Sequence, residues 1–327
     1  MFKLKKGDII GYYSPSAPAT FFAPVRYKRA QNFLESKGFK LISGNLSGKS
    51  QGYRSGSIVE RAHELNTLIE NKDIKCIMST IGGSNSNSIL PYLNFEEIKK
   101  NPKIFIGYSD VTAILLAIYA KTGVVTFYGP ALVASFGEFP PLVEETFSYF
   151  SDILMNNLNL PYTFKTPDKY TDMFINWEDQ NTSKTTYENR LVTVIPGKVS
   201  GRLIGGNLNT MYGIWGSEYM PEIKKGDILF IEDSLKSAAD IERSFSFLKL
   251  NKVFEKVSGI ILGKHELFND QNSGKKPYEI LLEVLGDTKI PFLAEFDCCH
   301  THPMLTLPIG GQVELDSTNK KVTLLSF

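Results

Sequence analysis

The chain has 327 residues, of which 42% are hydrophobic and 22% charged, and its 36 basic and 35 acidic residues leave a net charge of +1. This composition is typical of a globular protein with enough apolar material for two domains of ~150 residues each. The balanced charge argues against a nucleic-acid polymer or an anionic membrane as the main partner and favours a small ligand.

The N-terminal stretch MFKLKKGDIIGYY has three lysines but no long apolar run. Gly7 and Asp8 interrupt it before it reaches the length of a signal-peptide core. No window approaches the 18 apolar residues that would indicate a membrane-spanning helix. We therefore expect a cytoplasmic protein with no membrane partner.

The first 160 residues alternate apolar runs with amphipathic segments. The predicted strands are KGDIIGYYSPS, FKLISG, IKCIMSTIGG, KIFIGYSD and VVTFYGP. The predicted helices are VRYKRAQNFLESKG, SIVERAHELNTLIEN, VTAILLAIYAKTG and PLVEETFSYFSDILMNN. Strands that are apolar on both sides and separated by helices indicate a parallel sheet covered on two faces. We predict an N-terminal flavodoxin- or Rossmann-like α/β domain over residues 1–160.

Residues 161–190 are polar, lack a sustained period and contain Pro161 and Pro167, so we predict a linker and active-site loop. From residue 191 the strand pattern restarts and ends in a hairpin, GQVELDSTNKKVTLLSF. The other predicted elements are VTVIPGKVSGRLIGGN, GDILFIED, ADIERSFSFLKLN, SGIILGKHE and IPFLAEFD. We predict a mixed α/β C-terminal domain rich in strands over 191–327, with the active site in the crevice between the two domains.

A serine stands at one strand end, in IFIGYSDVT. Ser109 followed by Asp110 at the start of a helix is what an N-cap requires, and on that dipeptide alone capping is the better interpretation. A tight strand-to-helix turn also exposes a hydroxyl in the manner of a nucleophile elbow, although the usual G-x-S-x-G is not matched. Gly82 and Gly83 end a neighbouring strand and would let a ligand approach the backbone closely, or simply form a turn.

A serine nucleophile needs a histidine base and an orienting carboxylate. Of the four histidines, His63 lies within a predicted helix, whereas His300 follows the strand IPFLAEFD. Spacing alone does not separate His300 from His302. Glu232, at the end of GDILFIED, is a carboxylate at a comparable strand end, or a solvated acid near a helix start.

The remaining motifs give no sign of a cofactor. The three cysteines are an odd number and argue against a disulfide framework. Cys298, Cys299, His300 and His302 match none of the usual zinc spacings, and no G-x-G-x-x-G fingerprint is present. We therefore expect neither a metal nor an organic cofactor.

Six stretches together resemble the serine peptidases of the LD-carboxypeptidase family, most closely its MccF-like branch of microcin C immunity peptidases. They follow the family's order from about Ile9 to the terminal hairpin: STIGGSNSNSILPYLNF, IGYSDVTAILLAIYAKTG, GRLIGGNL, LFIEDSLKSAADIERSFSFLKL, GIILGKHELF and CHTHPMLTLPIGG. The resemblance implies a Ser-Glu-His triad of Ser109, Glu232 and His300. Cys299 stands where the family usually has a glycine.

The same resemblance implies further roles. The amides of Gly83 and Asp110 would form the oxyanion hole. Glu266 matches an acid that contacts the substrate's amino group, and Asn207 matches a pocket position. Trp177 corresponds to a tryptophan that stacks on a nucleotide, although a lone tryptophan in a polar loop is also a common anchor for that loop.

These residues imply amide hydrolysis through an acyl-enzyme, with activity falling as His300 becomes protonated below neutrality. One substrate reading is an aminoacyl-nucleotide toxin of the microcin C type, and the other is a murein tetrapeptide that loses its terminal D-alanine. The GKHELF stretch and the tryptophan-bearing loop favour the first. A non-catalytic ligand-binding protein is a third alternative. The resemblance also implies a homodimer.

Overall fold

The computed structural model describes residues 3–155 and 158–327. In this part of the chain the strands are β1 (Ile9–Tyr13), β2 (Lys40–Ser43), β3 (Ile74–Ser79), β4 (Ile104–Gly107), β5 (Thr126–Tyr128), β6 (Tyr162–Thr163), β7 (Lys169–Tyr170), β8 (Tyr187–Glu188), β9 (Val192–Ile195), β10 (Lys198–Asn207), β11 (Ile228–Glu232), β12 (Gly259–Gly263), β13 (Phe292–Phe296), β14 (Leu307–Ile309), β15 (Gln312–Asp316) and β16 (Lys321–Ser326).

The α-helices in the same part of the chain are α1 (Ala19–Phe22), α2 (Pro24–Ser36), α3 (Ile58–Glu70), α4 (Phe95–Lys100), α5 (Thr112–Thr122), α6 (Leu142–Leu154), α7 (Leu208–Tyr212), α8 (Ala238–Leu250) and α9 (Pro277–Leu285). The helix predicted for PLVEETFSYFSDILMNN is α6, and the last two residues of that stretch, Asn156 and Asn157, lie outside the described residues. No helix in the described ranges is long and apolar enough to cross a membrane.

The N-terminal sheet has six strands in the order β14-β5-β4-β3-β1-β2. Strands β1 to β5 are mutually parallel, and β14 joins the edge of β5 antiparallel. The prediction of a parallel sheet is confirmed. The central strands are buried because their apolar residues face helices on both sides.

Local sequence signals set the helix boundaries. Helix α3 begins with a capping box, in which the amide of Glu60 donates to the Ser57 hydroxyl and the Ser57 amide donates to the Glu60 carboxylate. Helix α5 is buried from Thr112 to Ile118 and ends at Gly123, whose φ of 73° is the left-handed conformation that glycine adopts without strain. The predicted glycine stop of this helix is confirmed.

The second sheet has eight strands in the order β6-β16-β15-β10-β11-β12-β13-β9. Its centre, β10 to β13, is parallel, and antiparallel strands flank it on both sides, including the predicted hairpin of β15 and β16. The predicted mixed, strand-rich C-terminal half is confirmed. The elements that were not predicted are the helices α1, α4, α7 and α9, the strands β6 and β14, and the short β7–β8 ribbon.

The two sheets meet directly at the end of β10. A Cβ added to Gly206 would lie 2.7 Å from a methyl carbon of Thr112 and 3.2 Å from the ring of Tyr128, so only glycine allows this approach. The next amide, that of Asn207, donates to the Thr112 hydroxyl over 3.0 Å. The carboxyl ends of β3, β4, β5, β10 and β11 therefore converge, which is where ligands bind in open α/β sheets.

Candidate active site

Ser109 occupies a sharp turn between β4 and α5. Its φ is 62°, in a region that residues other than glycine rarely occupy and that costs of order 1–3 kcal/mol. The turn continues as a 3-10 helix from Ser109 to Val111, and no side chain caps either this helix or α5. The interpretation of Ser109 as a helix cap is therefore wrong, because the residue lies inside the first turn and makes no capping hydrogen bond with its side chain.

The turn is closely packed against the end of β3. A Cβ added to Gly82 would lie 2.9 Å from the Ser109 Oγ and 3.0 Å from the amide nitrogen of Asp110. Gly83, with a φ of 142°, lines the same cavity as Ser109. The end of β3 thus packs against the Ser109 turn through Gly82, and the role of the Gly83 and Asp110 amides as an oxyanion hole stays a prediction.

Asp110 holds the segment that follows Gly83 by hydrogen bonds to its backbone and side chains. Its buried carboxylate accepts hydrogen bonds from the amides of Asn85 (2.9 Å) and Ser86 (2.8 Å). Its carbonyl oxygen accepts a further hydrogen bond from the Ser86 hydroxyl. These contacts attach the segment after Gly83 to the Ser109 turn, so the side chain of Asp110 has a structural use that is separate from its amide.

Glu232 and His300 form a hydrogen-bonded pair. The Nδ1 atom of His300 lies 2.6 Å from Oε2 of Glu232, whose side chain is completely buried. His302 lies on the same cavity but makes no such contact, and its Nδ1 is buried without a hydrogen-bond partner. Spacing left the two histidines equivalent, and the geometry singles out His300 as the partner of the acid.

The second oxygen of Glu232 is also fully occupied. The Tyr128 hydroxyl donates to Oε1 over 2.5 Å, and the side-chain amide of Asn207 donates to the same atom over 2.9 Å. Asn207 in turn caps α7 by accepting from the Thr210 amide. Asn207 therefore lines the cavity, as predicted for a pocket residue, while its side chain orients the acid.

Tyr128 connects the acid to the nucleophile turn. Its hydroxyl accepts a hydrogen bond from the Ser109 amide over 3.0 Å while it donates to Glu232. Burial and the Glu232 charge raise the pKa of Tyr128 well above its usual value, so the phenol keeps the proton that it donates. Sequence analysis missed this residue, although its place at the carboxyl end of β5 follows the same rule that drew attention to Ser109.

The electrostatics of the pair favour charge on both partners. Burial opposes protonation of His300, but Glu232, with smaller contributions from Glu266 and Asp233, raises the pKa of His300 to about 8. Burial likewise opposes ionisation of Glu232, but His300 and the hydrogen bonds from Tyr128 and Asn207 hold its pKa below the usual value. The carboxylate therefore stabilises an imidazolium, which is the state that a base reaches after it accepts a proton.

His300 is held from its other side by packing. The Tyr108 ring meets the imidazole edge to face, with 5.0 Å between ring centres. The preceding turn is packed by two buried cysteines, and the Cys298 thiol donates to the carbonyls of Tyr128 and Leu305. Burial raises the pKa of Cys298 and Cys299, which act as apolar packing residues.

Within residues 3–155 and 158–327, no group of three His, Cys, Asp or Glu side chains could hold a metal ion.

The cavity that these residues line has a volume of about 390 Å³. It contains the predicted residues Ser109, His300, Gly83, Asn207, Glu266 and Trp177. Glu266 is mostly buried, and burial raises the pKa of its carboxyl group. Further polar residues that line the cavity and were not predicted from the sequence as site residues include Lys184, Asn209, Asp233 and Lys236.

Trp177 closes the cavity from the 161–190 segment. The Arg26 guanidinium lies 4.6 Å from the centre of its ring, and the Phe22 ring lies 6.1 Å away. The tryptophan is thus anchored to α1 and α2 while it also lines the cavity. Stacking on a nucleobase stays a prediction, and the contacts with Arg26 and Phe22 correspond to the alternative of a loop anchor.

Arg26 itself belongs to a buried cluster that fastens this segment. Its guanidinium donates to the carbonyls of Val133 and Ala134, to the side chain of Gln180 and to the carboxylate of Glu138. The Gln180 amide also donates to Glu138. No sequence pattern announces this cluster, because its members are far apart in the chain and isolated charges are usually solvated.

Comparison with known proteins places this site in a family. Residues 10–129 match the LD-carboxypeptidase N-terminal domain, and residues 200–315 match the LD-carboxypeptidase C-terminal domain. The chain is 58% identical to the microcin C7 self-immunity protein MccF of Escherichia coli over 323 residues, which cover 98% of this chain and 94% of MccF.

Solved structures and a more distant relative agree. Structures of MccF with aspartyl sulfamoyl adenosine and with glutamyl sulfamoyl guanosine each match at a TM-score of 0.98 and 57% identity, covering 100% of this chain and 98% of MccF. A Bacillus subtilis protein named "Probable murein peptide carboxypeptidase" is 29% identical over 98% of this chain and 92% of its own length. The chain therefore belongs to the LD-carboxypeptidase family of serine-type hydrolases and resembles its MccF members in both sequence and structure.

Proposed function

We propose that this protein hydrolyses the amide-type bond between an aminoacyl group and a nucleotide-like moiety, using Ser109, Glu232 and His300 as a catalytic triad. The observation that carries the proposal is the Glu232–His300 pair on the same cavity as a serine held in a strained turn. The likeness to MccF, solved with aminoacyl sulfamoyl nucleosides, supports the substrate class.

The reaction begins with proton transfer and attack. Nε2 of His300 is the free ring nitrogen, because Nδ1 is bonded to Glu232, and it accepts the proton of the Ser109 hydroxyl as Oγ attacks the acyl carbon. Glu232 stabilises the imidazolium. The amides of Gly83 and Asp110 donate to the negative oxygen of the tetrahedral intermediate.

Collapse of the tetrahedral intermediate forms an acyl-enzyme, which water then hydrolyses. The imidazolium of His300 gives its proton to the departing nitrogen, which leaves with the nucleotide-like moiety, and the acyl group stays on Ser109 as an ester. A water molecule gives a proton to His300 and attacks the ester, releasing the free amino acid and restoring the serine. Glu266 binds the substrate's amino group, and Trp177 stacks on the nucleobase. No cofactor takes part.

A murein tetrapeptide is the second candidate substrate, because a relative across nearly the whole chain is named for murein peptides. The same triad would then release the terminal D-alanine. The third alternative from the sequence, a protein without turnover, is set aside because the family assignment indicates a hydrolase.

The experiment is turnover followed by mass spectrometry. Wild type and Ser109→Ala are each incubated with aspartyl sulfamoyl adenosine and with a murein tetrapeptide. We expect the wild type to cleave the nucleoside compound and the Ser109→Ala variant to bind it without cleavage. Preferential release of D-alanine would favour the murein function instead, and equal activity of the two enzymes would overturn the triad.

We also infer a cytoplasmic location and a homodimer, both from the MccF-like character of the chain. Light scattering coupled to size-exclusion chromatography should give about twice the 36.6 kDa mass of the chain. A monomer at all concentrations would contradict the second inference.

A further inference from the structure

The peptide between Gly82 and Gly83 has a defined orientation. The Gly82 carbonyl accepts a hydrogen bond from the Ala17 amide over 3.0 Å. Because the carbonyl and the N–H of a trans peptide point in opposite directions, the Gly83 amide points away from Ala17. This amide donates to no acceptor in the described part of the chain, and Gly83 lines the cavity with Ser109. The amide can therefore bind a ligand oxygen as long as the peptide keeps this orientation.

Ser16 holds the chain that follows Gly83. Its hydroxyl is completely buried, accepts from the amides of Ser84 (2.9 Å) and Asn85 (3.1 Å), and donates to Oδ1 of Asn85 over 3.0 Å. A Cβ added to Gly83 would lie 2.3 Å from the Ser16 oxygen, so the loop after β1 packs directly on this glycine. Ala17 and Ser16 therefore bind the chain immediately before and immediately after Gly83.

Arg61, on α3, joins the same two segments to each other. The residue is 1% exposed. Its Nη1 donates to the Pro15 carbonyl over 2.6 Å and lies 2.9 Å from Oδ1 and 3.2 Å from the carbonyl oxygen of Asn85. Its Nη2 donates to the Ser88 hydroxyl over 3.1 Å, and its Nε donates to the Gly56 carbonyl over 3.0 Å. A planar guanidinium can bond several acceptors at fixed angles, which an ammonium group cannot do.

The partners of this buried cation are all neutral oxygens. Burial and the like charge of Arg54 lower the pKa of Arg61, and the Asp110 carboxylate opposes that shift at longer range. A buried charge without an ionised partner in contact is a costly way to hold a loop. The Asp110 carboxylate accepts from the amide of Asn85, whose carbonyl and side chain bond to Arg61. Asn85 is thus held between the nucleophile turn and Arg61.

We propose that Arg61 is a positioning residue for the oxyanion hole, which directs the Gly83 amide at the developing oxyanion by tying the loop after β1 to the segment after Gly83. This inference rests on the proposed function, because it requires the amides of Gly83 and Asp110 to bind the oxyanion. Arg61 does not line the cavity, so it acts through Asn85 and Ser16. A small displacement of the amide lowers its effect on a charge that is present only in the transition state, and it leaves ground-state binding intact.

The first measurement separates transition-state effects from ground-state effects. Arg61→Lys keeps the positive charge, but the lysine cannot bond Pro15 and Asn85 in the present geometry. We expect kcat with aspartyl sulfamoyl adenosine to fall by ~10- to 100-fold, less than the ~10²- to 10³-fold cost of losing an oxyanion donor outright. The Kd of this compound, measured by calorimetry in the Ser109→Ala background, should be the same with and without Arg61→Lys.

The second measurement does not depend on the identity of the substrate. When a fluorophosphonate reacts with a serine enzyme, the serine Oγ displaces fluoride from phosphorus and the phosphoryl oxygen takes the oxyanion position. The rate of Ser109 labelling, followed by mass spectrometry, should fall by ~10- to 100-fold in Arg61→Lys. Asn85→Ala removes only the Oδ1 acceptor that Arg61 and Ser16 share, so it should cause a smaller fall. It decides the question if Arg61→Lys does not fold.

The control is Arg202→Lys, because Arg202 is a largely buried arginine that pairs with Asp227 and does not line the cavity. It should lose stability and keep the wild-type kcat and labelling rate. The inference is overturned if the Arg61 and Asn85 variants lower only the melting temperature, or if they weaken ligand binding as much as turnover.

The labelling rate also separates this inference from the proposed function. A wild type that is labelled at Ser109 but cleaves neither candidate substrate would refute the proposed substrates, and the ratio of labelling rates would still decide the role of Arg61. A wild type that is not labelled at Ser109 would refute both.

Discussion

The two walls of the active-site cavity are built in different ways. Ser109, Glu232, His300 and Tyr128 stand at or just beyond strand ends, and an unbroken set of hydrogen bonds joins the last three to the turn that carries the first. The opposite wall, formed by residues 173–184, has no extended secondary structure and is fastened mainly by the Arg26–Glu138 cluster. The difference suggests that chemistry and recognition occupy separate structural units, so their kinetic effects should be separable.

The largest expected effect is on the strand-end wall. Glu232→Gln replaces one acceptor oxygen with an NH2 group, although Tyr128, Asn207 and His300 all donate to the carboxylate. If the NH2 group lies next to His300, it donates to Nδ1. The His300 proton must then sit on Nε2, and this tautomer cannot act as a base. We expect kcat to fall by ~10³- to 10⁴-fold with little change in ligand affinity.

The matched control for this variant is Glu314→Gln, a glutamate on β15 that pairs with the surface lysine Lys198. It should have wild-type kinetics. Stopped-flow and steady-state measurements of both variants would decide the point, and a Glu232→Gln enzyme within tenfold of wild type would show that the acid is dispensable.

Tyr128→Phe tests whether the strand-end wall acts as one unit. Loss of the hydroxyl leaves the Ser109 amide without a partner and leaves Oε1 of Glu232 with only the hydrogen bond from Asn207, so we expect kcat to fall by ~10- to 100-fold. With one hydrogen bond fewer, the carboxylate should hold the His300 proton more strongly and move the midpoint of the pH profile above its wild-type value. A merely structural role would lower stability and leave that midpoint in place.

Tyr162→Phe is the comparison for this effect, because Tyr162 also loses a hydroxyl bonded to a carboxylate, that of Asp152, but at the far edge of the second sheet. Its pH profile should match that of the wild type.

Arg26→Met tests the loop wall. The variant leaves Glu138 buried without its guanidinium partner and removes the cation beside Trp177, so the 173–184 segment should detach more easily. We expect ~10-fold weaker ligand binding, a smaller change in kcat, and a loss of about 3 kcal/mol in unfolding free energy. Limited proteolysis should show faster cleavage within 173–184. A fall in kcat alone would contradict the separation of the two walls.

The Glu232–His300 pair also predicts a pH dependence of kcat/KM in the unmodified enzyme. Only neutral His300 can accept the serine proton, and its pKa is raised to about 8. The value of kcat/KM should therefore decrease about tenfold for each pH unit below 8 and level off above it. The sequence alone suggested a loss below neutrality, and the Glu232 contact places the loss higher. A profile that is flat from pH 6 to 8 would contradict the assignment of His300 as the base.

Much of the fold could be predicted from the sequence because strand burial leaves a visible pattern. The apolar runs that became β3 and β4 and the glycine stop of α5 are local signals. The positions of Ser109 and Glu232 at strand ends followed from the rule for parallel sheets. Their catalytic roles, and those of the other site residues, are still predictions.

The rest could not be predicted because it depends on tertiary contacts. Glu138 meets Lys184 and Arg26 across separations of 46 and 112 residues, and nothing in the local sequence links them. The pairing of β14 with β5 joins segments almost 180 residues apart. The dihedral strain of Ser109 likewise depends on close packing against Gly82 and on the hydrogen bond from its amide to Tyr128.

The β14 strand has a consequence for how the protein can be divided. Residues 307–309 come from the C-terminal half, yet they complete the N-terminal sheet by covering the edge of β5, with Leu307 opposite Tyr128. A fragment that ended after α6 would keep β5 as an open edge, a surface that recruits other chains. The N-terminal half is thus expected to aggregate when expressed alone. If the enzyme were divided into an N-terminal and a C-terminal fragment, the β14 segment would have to be joined to the N-terminal fragment.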